Sequence, residues 1–227
     1  MRKTKEDMLI TREKILQAGF ECFDKTGFEQ TSLASIAEAA GVTRGAIYWH
    51  FEDKKELFRA VVDYNLAHGD ITAYGKQLPS NTPFPERLAE MFWQALDGNR
   101  YVEFVYKCMT YASSHEEFSD VVEKVREMKN SLWEFIDMEL KIYLRMHDRP
   151  SQGTECVASS LTLLFEGMFL MKNLGTKVRL TKEYVYKYTN LTCAALISKV
   201  EPERWDSLFA EGSKISWYPL PGMSSNA

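Results

Sequence analysis

Large apolar side chains recur along this chain at intervals of three and four residues, and short alternating runs of β-branched residues are almost absent. That periodicity predicts helices throughout. From Met8 to Lys25, the residues Ile15, Leu16, Gly19, Cys22 and Phe23 form one stripe, and Gly27 is placed to end the helix. Ser32 reads as the N-cap of a short helix, Leu33 to Ala40, which Gly41 stops. Thr43 caps a second short helix running to about His50. Asp53 and Glu56 form an acidic analogue of a capping box, opening a longer helix that bears Leu57, Phe58, Val61, Val62 and Tyr64.

The run L-P-S-N-T-P-F-P, Leu78 to Pro85, is the clearest break, because its three prolines cannot continue a helix. Helical patterns follow at about Pro85 to Leu96, Tyr101 to Ala112, Glu116 to Arg145, Thr154 to Asn173 and Lys182 to Val200. Pro202 to Ala210 adds a short turn, and Gly212 to Ala227 is a Ser/Pro/Gly tail carrying Trp217 and Tyr218. The expected class is all-α.

Composition narrows the chemistry. With 227 residues, 45% of them hydrophobic, the chain has enough material for a core without metal or disulfide support. Cys22, Cys108, Cys156 and Cys193 are scattered with no zinc or disulfide spacing and read as mostly buried thiols. No uninterrupted apolar run approaches the ~20 residues of a membrane span. The N-terminus is polar where a secretory signal is apolar. A soluble, cytoplasmic protein without a membrane partner is expected. His50, His68, His115 and His147 show no metal spacing, and neither a G-x-S-x-G nor a glycine-rich phosphate loop is present. No enzyme, metal or cofactor is therefore expected, a cofactor-free helical enzyme being the remote alternative.

The net charge of −4 argues against a protein coated in positive potential. Residues 1–60 hold ten Lys/Arg and ten Asp/Glu, leaving 18 basic and 22 acidic residues beyond them. Any nucleic-acid binding must come from placed residues.

Such placement is visible at Leu33 to His50. Two helices of about two turns joined by A-G-V-T cannot be stable alone, and a tight glycine turn between them is what a helix-turn-helix needs. The second helix is the one presented to DNA. Set at ~100° per residue, positions 44 to 51 bring Ile47 and Phe51 together on the inward side. Gly45 and Trp49 lie opposite, flanked by Arg44 and Tyr48 on one side and Ala46 and His50 on the other. Several exposed aromatics together mark a contact surface. Lys54 and Lys55 stand in the first turn of the next helix, where the macrodipole favours acids; a bound phosphate resolves that mismatch. Arg2, Lys3 and Lys5 extend the set as a basic arm.

The run G-F-E-Q-T-S-L-A-S-I-A-E-A-A-G-V-T-R-G-A-I-Y-W-H-F-E-D-K-K-E-L-F, Gly27 to Phe58, resembles the DNA-binding domain of the tetracycline-repressor (TetR) family. The form V-T-R-G-A-I-Y-W-H-F and the leading R-K-T-K resemble its AcrR-like subgroup, regulators of multidrug efflux pumps. The resemblance covers about the first 65 residues. It implies DNA contacts at Thr43, Arg44, Gly45, Tyr48, Trp49, His50 and Lys54, with Thr31 or Ser32 nearby. It also implies a three-helix DNA-binding domain at 9–69, with its motif at 32–51. A larger helical ligand-binding and dimerisation domain follows at 70–211, giving about nine to ten helices, and then a tail at 212–227.

Family members are dimers, which implies an interface on the last two long helices, with Leu161, Leu164, Met168, Leu191 and Leu196 as candidates. A dimer also matches the need of one short recognition helix for a second half-site. Phe92, Trp93, Phe104, Met109, Trp133, Phe165 and Met168 suit an adaptable apolar pocket, and Glu166 is placed to meet a cationic drug. The expected function is a repressor that binds a palindromic operator as a homodimer and is released by a small lipophilic or cationic effector. A sensor for a fatty acyl or aromatic metabolite is the alternative.

Overall fold

The computed structural model describes residues 5–145 and 152–197. Their order is α1 (Lys5–Gln30), α2 (Leu33–Ala40), α3 (Arg44–His50), α4 (Lys54–His68), α5 (Thr72–Gln77), α6 (Phe84–Leu96), α7 (Arg100–Ala112), a 3-10 turn (Glu116–Phe118), α8 (Ser119–Tyr143), α9 (Gln152–Asn173) and α10 (Lys182–Ile197). No strand occurs among the described residues, so the all-α expectation holds. The Arg2–Lys3 arm, His147, the turn at Pro202–Ala210 and the tail with Trp217 and Tyr218 lie outside the described residues.

Gly27 breaks the helical backbone as expected, at φ 75°, ψ 171°, but a further helical turn counted with α1 follows it and carries Phe28 into the core. That φ is open to glycine and strained for other residues. Two details differ from the periodicity. The six-residue α5 is too short to show a period and was not expected. The single helix expected from Glu116 divides at Ser119 into the 3-10 turn and α8.

The chain packs as two compact units. One holds the residues up to Tyr74 together with Gln94–Asn130; the other holds Gly75–Trp93 and the described residues from Ser131 onward. The first unit thus adds α7 and the first half of α8 to the contiguous segment 9–69. α8 is continuous through the division.

In the first unit Ile15, Ile36, Ile47, Leu57 and Val61 are fully enclosed, one or more from each of α1 to α4. Beneath them lies an aromatic cluster: Phe28 and Phe118 each approach Phe58 edge-on at 5.1 Å, and Phe20 meets Phe104 at 5.0 Å. Edge-on contact aligns ring quadrupoles favourably. A Cβ at Gly19 would stand 2.8 Å from Val61 Cγ2, so glycine there permits the close crossing of α1 and α4.

Ion pairs fasten the same elements from outside. On successive turns of α4, Lys55 pairs with Glu117 at 3.1 Å, Arg59 with Asp120 at 2.9 Å and Asp63 with Lys124 at 2.7 Å. Arg100 of α7 grips Glu21 and Asp24 of α1, and Lys107 also reaches Asp24.

In the second unit Phe92 stacks on Phe165 with centroids 4.9 Å apart. Largely buried charges are paired: Arg87 with Glu139 at 3.3 Å, and Glu90 with Lys182 at 2.9 Å and the Tyr186 hydroxyl. By length and composition α9 is apolar enough to cross a bilayer, although Glu155 and Glu166 interrupt its apolar run. Its inward face, including Val157, Leu161, Phe165 and Phe169, is buried within the protein.

Candidate nucleic-acid interface

Each short helix of the motif is fixed by its own caps. Ser32 accepts from the Ser35 amide at 3.0 Å, and the Ser35 hydroxyl oxygen accepts from the Ser32 amide at 3.2 Å, a reciprocal capping box. At the other end of α2, Gly41 adopts φ 65°, and the Gly41 and Val42 amides donate back to Glu38 and Ala37 at 3.1 and 3.0 Å. This left-handed turn sends the chain sharply into α3. Thr43 then caps α3 by accepting from the Ala46 amide at 3.2 Å. Asp53 caps α4 by accepting from Glu56, while the Glu56 carboxylate accepts from the Glu52 amide, one residue further back than in the expected box.

α3 is held down by few groups. Ile47 is fully enclosed, Phe51 is 2% exposed, and Arg12 of α1 lies over the Phe51 ring at 5.3 Å. The opposite face is open. Tyr48 and Trp49 are 53% and 67% exposed, Thr43, Arg44 and Gly45 are exposed, and His50 is half-buried with its ring edge-on to Trp49. Arg44 has no partner among the described residues. Gly45 is instructive because nothing inside the protein requires it. A Cβ there would meet only Thr43 Oγ1, at 3.9 Å, and its φ is not in the left-handed region. The missing side chain leaves the backbone approachable from outside.

Three of the residues expected at the DNA are engaged within the protein. Lys54 Nζ donates to the carbonyls of Phe28, Thr31 and Glu29 at 2.9, 3.1 and 3.3 Å, so all three ammonium donors end on the C-terminus of α1 and the following loop. The mismatch of a lysine at a helix start is resolved by those carbonyls, not by a phosphate. Lys55 is likewise paired with Glu117. Thr31 is 3% exposed, and its hydroxyl donates to the Gly27 carbonyl at 2.7 Å and lies 2.9 Å from the Thr26 hydroxyl. It braces the kink in α1 and leaves Ser32 as the exposed member of that pair.

Sequence reasoning missed Met8 and Thr11. With Thr43, Gly45, Ala46, Trp49 and His50 they line a notch of about 610 Å³ beside the recognition helix. Their spacing of three places them on one side of α1, but which side meets α3 is set by tertiary packing.

The ligand-pocket candidates divide between the units. Phe104 and Met109 belong to the first unit, and Phe104 is 2% exposed in the core beneath the motif. Phe92, Trp93, Trp133, Phe165, Glu166 and Met168 lie in the second. Of the interface candidates, Leu161 and Met168 face the interior at 0% and 4% exposure, Leu164 and Leu196 are half-buried, and Leu191 is 68% exposed. The outward stripe of α9 is instead Leu163, Leu170 and, just past its end, Leu174.

The model of the bacterial regulatory proteins of the tetR family matches residues 15–61, which include α2, α3 and their supports. The HTH-type transcriptional regulator TtgR of Pseudomonas putida is 54% identical over 63 residues, 28% of this chain and 30% of that one. This match thus spans less than a third of the relative's length. The HTH-type transcriptional repressor BepR of Brucella suis is 29% identical over 177 residues, covering 75% of this chain and 83% of its own. A solved transcriptional regulator of the TetR family from Cytophaga hutchinsonii is similar in fold, with a TM-score of 0.66 at 24% identity over 86% of this chain and 98% of that one. With a capped helix-turn-helix that presents an exposed aromatic face, residues 15–61 carry the DNA-binding domain of the tetR-family regulatory proteins, and the chain is similar to transcriptional regulators of that family.

Proposed function

We propose that the protein is a ligand-responsive repressor that binds a palindromic operator as a homodimer in the cytoplasm. In this reading a small lipophilic molecule releases it, and it controls a multidrug efflux pump. The observation that carries this reading is the outward face of α3, where two large aromatics, an unpartnered arginine and a glycine the protein does not need stand together. Arg44 suits the base edges of the major groove, and Tyr48, Trp49 and His50 suit the sugar-phosphate backbone beside it. One recognition helix offers few contacts, so two-fold symmetry supplies the second half-site. The exposed Leu163, Leu170 and Leu191 on α9 and α10 support pairing through those helices.

Release needs a path from sensor to α3. α8 runs from one packing unit into the other, and its first turns are tied through Asp120 and Lys124 to α4, whose N-terminus follows α3 directly. An effector that displaces α8 moves α4 and with it the recognition helix. Only a difference in affinity between the two states does this work, typically about 1–3 kcal/mol. Selection of bound duplexes from a random pool tests the proposal. It should return an inverted repeat with half-sites about one helical turn apart; recovery of unrelated or single-sided sequences counts against it.

A further inference from the structure

Asp137 stands on the side of α8 that carries Trp133, Ile136 and Leu140, of which Ile136 and Leu140 are fully enclosed. Asp137 is itself only 7% exposed. Its Oδ2 accepts from Lys141 Nζ, one turn along, at 2.6 Å. Its Oδ1 is buried and has no hydrogen-bond partner among the described residues. Glu90 of the same unit is treated differently, taking both Lys182 and the Tyr186 hydroxyl. A carboxylate oxygen shut away from water without a donor is strongly disfavoured, and folding gains nothing from it. Such a group is where a donor from outside the chain has most to contribute.

We propose that Asp137 is the polar anchor for the effector, and that the effector is a planar, lipophilic molecule carrying an N–H donor, best an organic cation. The inference rests on the reading of this unit as the sensor. Lys141 balances the charge of Asp137 but is directed at the other oxygen, so Oδ1 still offers lone pairs to a donor and repels an anionic tail. Trp133, one turn before Asp137, is fixed by donation from Nε1 to Ser159 Oγ at 3.0 Å and supplies an immobile aromatic surface on the same side of α8. Glu166, the acid expected to meet a cation, is already engaged within the protein. The site therefore favours a cationic aromatic amine over a fatty acyl carboxylate.

The test uses the full-length protein and two fluorescent probes. Rhodamine 6G is a planar cation with N–H donors; 8-anilinonaphthalene-1-sulfonate is an anion that binds apolar cavities. Asp137→Asn keeps the volume and removes the charge, and Lys141→Met leaves the carboxylate without its internal partner. Asp137→Asn is expected to weaken rhodamine 6G at least tenfold while leaving the sulfonate unchanged or tighter, and Lys141→Met is expected to tighten rhodamine 6G. Equal rhodamine 6G affinity in wild type and Asp137→Asn, or no binding to wild type, overturns the proposal. Should Asp137→Asn fail to fold by thermal melting, Lys141→Met decides, and unchanged or weaker rhodamine 6G binding there overturns it. Operator binding is read in parallel. Rhodamine 6G binding that depends on Asp137 but leaves operator affinity unmoved refutes release by ligand while the anchor stands.

Discussion

Lys54 and Phe28 meet twice: the ammonium lies 4.2 Å from the ring centroid and donates to the same residue's carbonyl at 2.9 Å. With the Thr31 and Glu29 carbonyls, this makes Lys54 the cap of the final turn of α1, placed by the first turn of α4. Lys54→Met keeps the aliphatic stem over the ring and removes three charge-assisted bonds. Chemical denaturation should show a loss of about 1–3 kcal/mol. The slope of log K against log salt for operator binding should barely change, whereas loss of a phosphate contact lowers it by about 0.9. A lowered slope with unchanged stability would return Lys54 to the DNA.

Gly45 separates stability from binding. With open space around its missing Cβ and an ordinary helical backbone, Gly45→Ala should stabilise the fold by about 0.5–1 kcal/mol. If DNA approaches that backbone closely, the same methyl should cost about tenfold or more in operator affinity, roughly 1.4 kcal/mol. A variant that melts higher and binds as well as wild type would place DNA elsewhere.

The motif was legible because its determinants are local. Ser32, Gly41, Thr43 and Asp53 each act within four residues of themselves, so spacing alone identifies them. The fates of Lys54 and Thr31 were not: Lys54 reaches carbonyls more than twenty residues back in the chain, and Thr31 is turned onto the Gly27 carbonyl by the non-helical backbone at Gly27. α9 shows a different limit. It is apolar around most of its circumference, so periodicity does not set its phase, and Leu161 and Met168 could not be told from Leu163 and Leu170. The burial of Phe104 beside the motif was not legible, because α7, which carries it, is remote from the motif in sequence.

The α4 ion pairs should be unequal. Arg59 donates through Nε to both Asp120 oxygens, reaches the Glu117 carbonyl through Nη2, and lies 5.2 Å from the Phe118 ring centroid. Lys55 and Glu117 are both about half exposed. A double-mutant cycle should give about 1 kcal/mol for Arg59 with Asp120 and only about 0–0.5 kcal/mol for Lys55 with Glu117. Both should shrink in 1 M salt. If this row carries the effector signal, Arg59→Ala should lower the factor by which effector weakens operator binding, and an unchanged factor would remove the row from the path.

Leu163 and Leu161 differ in fate though two residues apart, because one is 70% exposed and the other enclosed. Leu163→Asp and Leu191→Asp should yield folded monomers in sedimentation, with operator affinity largely lost. Leu161→Ala should cost about 2–5 kcal/mol whatever the assembly. Dimers persisting in both aspartate variants would place the interface away from these helices.

Thiol reactivity gives an independent reading of the same surface. Burial raises the Cys108 thiol well above its ordinary range and pushes Cys193 up to about 12, while Cys22 is raised more modestly, first by burial and then by Glu21. At pH 8 the buried pair are therefore almost wholly protonated as well as shielded, and the thiolate is the reactive species. Cys156 is exposed on α9, seven residues before Leu163 and so on its side of the helix. With an aromatic disulfide reagent at pH 8, Cys108 and Cys193 should react only on unfolding and Cys22 slowly. Cys156 should react faster in the Leu163→Asp monomer than in wild type. Fast labelling of Cys108 in the folded protein would contradict its placement, and an equal Cys156 rate in both proteins would mean that its face of α9 is not covered by a second subunit.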